Sequence, residues 1–227
     1  MSKNKKTNKI LILIVNIVLV IMEIAGLVLM VEMYLSYGLH PLGWIKYYTQ
    51  LSNIFSMICA GLVAAFTAKD LIKNTDSTPN FVRLLKFSSA CCLTETLLVT
   101  AFVLSPMGMM GGFVPLMFEG PNLYHHLLCP LVSLLSLVLL EKGDKITFKH
   151  AALSMIPTLI YGVVSVALNL LKVWHGPYPF LYVYEQPVYM SFIWAVLILG
   201  GAYAITLGVR WLANLSSGKI KKENKNG

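Results

Sequence analysis

ILILIVNIVLVIMEIAGLVLMVEMYLS, residues 10–36, is an apolar run broken only by Asn16, Glu23 and Glu32. As a helix rising about 1.5 Å per residue it exceeds the roughly 30 Å hydrocarbon core of a bilayer, which needs about 20 residues. Lys3, Lys5, Lys6 and Lys9 precede it, as in a signal peptide. The run is longer than the roughly 7–15 residues of such a segment and carries no convincing small-residue cleavage site, so it reads as a retained first helix.

The same criterion marks five further spans: Ile45 to Ala68, Leu84 to Leu104, Leu123 to Leu140, Ala151 to Leu171 and Pro187 to Leu212. Across the 227 residues, 57% are apolar and 12% charged, outside the balance of soluble domains. The connections are short and no internal repeat is visible, which leaves no room for a soluble domain. The fold class expected is all-α: one polytopic membrane domain, a single bundle of six transmembrane helices.

A formal charge of +8 raises the question of a nucleic-acid partner, but the placement of the charges argues for topology. The basic residues cluster before the first span (Lys3, Lys5, Lys6, Lys9) and between spans two and three (Lys69, Lys73, Arg83, Lys86). They cluster again between spans four and five (Lys142, Lys145, Lys149) and at the C-terminus (Arg210, Lys219, Lys221, Lys222, Lys225). With alternating spans all of these share one side, against Lys46 and Lys172 on the other, so the positive-inside rule expects both termini in the cytoplasm. No nucleic-acid partner is expected; the partners are the bilayer and a lipid. The excess of Lys over Arg hints at an AT-rich bacterial genome, hence a multi-pass protein of a bacterial plasma membrane.

Cys59, Cys91, Cys92 and Cys129 all lie within spans, without metal-knuckle or redox spacing. No P-loop, dinucleotide fingerprint, G-x-S-x-G elbow or H-E-x-x-H is present. No metal or cofactor is expected.

Ionisable side chains inside a span are costly and are functional candidates by default. Here they are Glu23, Glu32, Glu95, His125 and His126. Counted from the span ends, Thr49 and His126 lie at one depth, roughly 5 Å below the outer boundary, with Glu32 and Asn169 near the same level. Helical spacing groups the polar residues into faces: Thr49, Ser52, Asn53 and Ser56; Asn122, His126, Cys129 and Ser133; Ser88, Cys91, Cys92 and Glu95; Asn16 and Glu23. All are expected to turn toward one interior cavity. Pro130 has no N–H for the carbonyl four residues earlier, so a loosened helix beside His126 is expected.

Two readings compete for each group. Thr49 is a nucleophile if a neutral imidazole takes its proton; otherwise Thr49 or Ser52 caps its helix or bonds back to it. His125 and His126 serve as base, or as packing bonds between helices. Glu23 and Glu95 orient the histidine, relay protons, or hold the bundle together.

The blocks YYTQLSNIF (47–55), NLYHHLLCPLVSLLSLVLLE (122–141) and GPYPFLYVYEQPVYMSFIWAVL (176–197) resemble, in order, the androgen-induced-protein family of six-helix membrane proteins and its bacterial relatives. The likeness spans nearly the whole chain. Animal members are threonine hydrolases that cleave fatty acid esters of hydroxy fatty acids with one intramembrane threonine and one histidine. The resemblance implies Thr49 as nucleophile. An Asn four positions upstream marks His126 through Asn122, as does the bacterial spacing to the proline; the animal spacing marks His125.

The expected function is an integral membrane hydrolase of lipid esters, with Thr49 and His126 near the outer leaflet. Ser52 and Asn53 are candidates for holding the oxyanion or the histidine, and Pro177 to Leu181 for an aromatic lid or interfacial anchor. The alternatives are a transporter or lipid-binding protein working through Glu23, Glu95 and His126, and an acyltransferase using the same Thr and His.

Overall fold

The computed structural model describes residues 3–223, with side chains for residues 3–215. Lys225 lies outside the described residues, as do the side chains of Lys219, Lys221 and Lys222. Among the described residues the chain is helical without strands. Helix α1 runs Lys3–Ser36, α2 Tyr48–Lys73 and α3 Asn80–Leu104. A short α4, Phe113–Phe118, leads into α5, Leu123–Leu140, and α6, Phe148–Leu170; α7 runs Val188–Glu223. All but α4 are long and apolar enough to cross a membrane, which makes this a multi-pass, six-span membrane protein.

α3 sits at the centre, packed by α2, α5, α6 and α7. Every residue from Lys86 to Thr96 is buried. The reason is size: Ser88, Ser89, Ala90, Cys91 and Cys92 are small enough for neighbouring backbones to approach on all sides, the usual basis of helix packing in lipid. The outer helices instead show one buried and one lipid-type face. On α1 the buried residues include Lys9, Asn16, Glu23 and Met30, one every seven residues, the repeat of a coiled-coil seam. Ile10, Ile14, Ile17, Ile21, Ile24 and Val28 are exposed on its far side. Glu32 falls off the seam and is exposed. The expectation for Glu32 concerned its depth, which does not set direction, and it belongs to none of the inward faces.

Polar groups in this interior are satisfied by one another, as a medium without water requires. At the basic end, Lys9 Nζ lies 2.6 Å from Asp70 and 2.9 Å from Asp76. Asp70 also accepts from the hydroxyls of Thr75, Ser77 and Thr78, which pins the α2–α3 connection to α1. One turn further in, fully buried Lys86 reaches Ser133 Oγ at 3.4 Å and lies 3.8 Å from Glu141. Glu141 Oε1 in turn accepts from Asn16 and Ser136.

α6 is interrupted at Met155, between Phe148–Ser154 and Ile156–Leu170, because Pro157 can supply no N–H to the preceding turn. α1 and α5 meet most closely at Gly26, where a Cβ would overlap the His125 ring. Gly26→Ala is expected to destabilise the bundle by about 1–3 kcal/mol. The check is a lowered thermal midpoint of the purified protein in detergent.

Candidate active site

The α2 N-terminus starts the site. Its capping position is Tyr47 and no side chain caps it, so Thr49 sits in the first helical turn with its hydroxyl free for other work. Its backbone N–H is one of the orphan donors of a helix start and donates to Tyr178 Oη at 3.4 Å. Thr49 Oγ1 lies 3.3 Å from His126 Nε2.

His126 reaches this place through two irregularities, one at the start of α5 and one just before it. Its first turns, Leu123–Leu128, are wound as a wide π-helix, with Cys129 N–H reaching back to the Tyr124 carbonyl. The next donor in that five-residue pattern would be Pro130, which has none, so the carbonyl left over is that of His125. Asn53 Nδ2 fills it at 3.2 Å and donates also to the Thr49 carbonyl at 2.7 Å. The loosening expected from Pro130 is present, and the wider winding moves it from the His126 carbonyl to its neighbour. π-turns of this kind cluster at functional sites.

The second irregularity is α4, in a stretch read from sequence as mere connection. The Leu116 carbonyl belongs to the last turn of this six-residue helix, where intrahelical donors run out. His126 Nδ1 donates to it, and Asn122 Nδ2 ties the Pro115 carbonyl at 3.0 Å. A carbonyl only accepts, so Nδ1 carries the proton. In the neutral ring Nε2 is then bare, and its lone pair faces the Thr49 hydroxyl.

His125, the alternate base, points the other way. It is fully buried against Gly26, with Nε2 3.9 Å from Glu23 Oε2 and 3.4 Å from the Glu23 carbonyl. Glu23 thus faces His125 and not His126. Both Glu23 carboxylate oxygens and His125 Nδ1 lack a hydrogen-bond partner among the described residues.

Glu95 does not reach a histidine either. Its Oε2 accepts from Tyr48 Oη at 2.8 Å and from Thr158 Oγ1 at 2.9 Å. Ser52 Oγ bonds the Thr49 carbonyl (2.9 Å) and Thr96 Oγ1 (3.0 Å). Ser52 and Asn53 therefore brace the backbone behind Thr49, in place of the oxyanion contact considered for them.

In front of Thr49 lies a cavity of about 580 Å³ between α3, α6 and α7, within the range of small-molecule sites. Tyr48, Thr49, Glu95, Thr96 and Tyr178 line its polar end, and Val99, Leu104, Val166 and Leu199 are among its apolar walls. Val163, Val188 and Phe192 line its margin and are exposed on the bundle surface, so it opens sideways.

Tyr178 comes from the P-Y-P-F-L segment read as a lid or anchor. It is buried, stacked on Phe180 at 5.1 Å and set edge-on to Tyr47 at 5.9 Å. Burial pushes its phenol up to about 12, so it keeps its proton at physiological pH. Because Oη accepts from Thr49 N–H, that proton is available to an acceptor in the cavity. Sequence reasoning had no means to reach this contact, which joins residues far apart in the chain, nor the Leu116 carbonyl, which has no side-chain signature.

Comparison with known proteins yields no family model that matches the chain, no matching curated protein and no matching solved structure.

The His126 tautomer is directly measurable. With ¹⁵N-labelled histidine, one ring is expected to show a protonated Nδ1 and a bare Nε2, and that signal is expected to vanish in His126→Gln. The opposite tautomer at this residue would remove the base from Thr49.

Proposed function

We propose that the protein is an integral membrane hydrolase of lipid esters, with Thr49 as nucleophile and His126 as base. The observation that carries this reading is the relay Thr49 Oγ1, His126 Nε2, His126 Nδ1, Leu116 carbonyl at the wall of a laterally open cavity. The carbonyl plays the part that a third group plays in hydrolytic triads, holding the ring in one tautomer. The likeness of the three sequence blocks to the androgen-induced-protein family supports the same pair. The clustering of basic residues supports a site toward the outer leaflet, and the membrane proposed is a bacterial plasma membrane.

The steps follow from the geometry. Thr49 Oγ attacks the ester carbonyl while its proton passes to His126 Nε2. The tetrahedral oxyanion forms beside the α2 N-terminus, whose dipole favours negative charge, and within reach of the Tyr178 hydroxyl. Collapse breaks the ester C–O bond, and the leaving alcohol takes the proton from Nε2. Water then attacks the acyl-Thr49 carbonyl, gives a proton to Nε2, and Thr49 departs with that proton as the fatty acid leaves. With a lipid alcohol in place of water the same steps transfer the acyl group; product analysis with and without a defined acceptor separates the two.

A carrier working through Glu23, Glu95 and His126 has less support. These residues belong to three separate networks: Glu23 with His125, Glu95 with Tyr48 and Thr158, and His126 with Thr49 and Leu116.

A fluorophosphonate probe is expected to label the wild type and neither Thr49→Ala nor His126→Ala. Ester turnover is expected to fall roughly 10²–10⁴-fold in His126→Ala. In Tyr178→Phe the expected loss is about 10²-fold in kcat, with labelling still detectable. Absence of both labelling and turnover across a panel of lipid esters in the wild type rejects the reading.

A further inference from the structure

The cavity also holds a carboxyl group that the relay does not use. Glu95 is buried on α3 and lines the cavity. Its Oε2 is saturated by Tyr48 Oη and Thr158 Oγ1, which themselves stand 2.7 Å apart. Its Oε1 accepts no hydrogen bond among the described residues. The two hydroxyls fix the carboxyl in one orientation, Oε2 toward α2 and α6, so Oε1 is left as an acceptor for the cavity. It remains one even if Oε2 carries a proton. The surrounding walls are aliphatic and aromatic, with few competing polar groups.

Glu95 and Thr49 line the same cavity, and Tyr48, the residue before Thr49, holds Glu95. An ester whose carbonyl meets Thr49 therefore shares the cavity with Glu95. A second carboxylate there would meet an acceptor of its own kind, while a hydroxyl would complete the network. Sites built around a fixed polar group reject ligands that leave it unpaired.

Resting on the lipid-ester reading of the cavity, we propose that Glu95 selects the substrate class: an ester of a polyol, whose free hydroxyl donates to Glu95 Oε1, in preference to esters that carry a carboxylate or no donor at that point.

Binding of ethers tests this without hydrolysis. The full-length protein in phosphatidylcholine nanodiscs is titrated with 1-O-hexadecylglycerol, hexadecyl methyl ether and hexadecyloxyacetate. The wild type is expected to bind the glycerol ether about tenfold more tightly than the methyl ether, and the carboxylate no better than the methyl ether. In Glu95→Gln the amide oxygen stays on Tyr48 and Thr158 and the NH₂ turns to the cavity. The preference for the glycerol ether should then disappear and the carboxylate should gain. Equal binding of the three ethers by the wild type overturns the proposal, as does an unchanged ranking in a folded Glu95→Gln. The wild-type ranking decides alone where that variant does not fold. Because ethers cannot be cleaved, a wild type that ranks them as expected but lacks esterase activity rejects the hydrolase reading and not the recognition by Glu95. A wild type that cleaves esters but binds the three ethers alike does the reverse.

Discussion

One side-chain amide holds the site together. Asn53 Nδ2 donates to the carbonyls of Thr49 and His125, so it ties the start of α2 to the widened turn of α5 through their backbones. In lipid a backbone carbonyl without a donor costs several kcal/mol, and Pro130 makes one unavoidable. Asn53 turns that liability into a registration device. Because it grips backbone, it sets how far apart the two helices stand at Thr49 and His126, and the side-chain rotamers complete the contact. Leu116 acts similarly from the other side, as a main-chain acceptor that fixes the imidazole.

The adjacent histidines then acquire different surroundings by position alone. Neighbouring residues on a helix point about a quarter-turn or more apart. At this place one direction leads to Gly26 and Glu23, the other to Thr49 and Leu116. Gly26 admits one imidazole and nothing larger on α1, so His125 is locked into helix packing. That is the common structural role of an intramembrane histidine, and it lies one residue from the proposed base.

The six spans were legible because length and hydropathy in a bilayer leave few alternatives. The inward face of α2 was legible from the spacing of Thr49, Ser52, Asn53 and Ser56, all of which are buried. The face from Asn122 to Ser133 likewise turns inward, and it singled out His126 over His125 before any coordinates. Depth counting gave no direction for Glu32, which lies off the seven-residue seam of α1 and is exposed. For Glu23 and Glu95 the sequence leaves orienting a histidine, relaying protons and holding the bundle together all open, because a face tells which way a group points and not which helix it meets. The α4 carbonyl and Tyr178 escaped for a different reason. Both act through the return of distant segments, 105–122 and 171–187, whose paths no local pattern specifies.

A site opening sideways in a membrane also changes what can discriminate substrates. Moving an acyl chain from bilayer to an apolar cavity gains little, since lipid tails are as apolar as the walls. The large transfer term that drives apolar ligands out of water is therefore absent, and chain length is a weak handle. What differs between hydrocarbon and cavity is the polar end, where Thr49, Tyr178 and Glu95 offer directed donors and an acceptor. For the proposed lipid-ester reaction, selectivity is then concentrated in those few groups, and so is rate, because contacts formed only as charge develops on the ester oxygen lower the barrier without tightening the ground state. The apolar volume serves mainly to exclude water and so to strengthen the few polar contacts at its end.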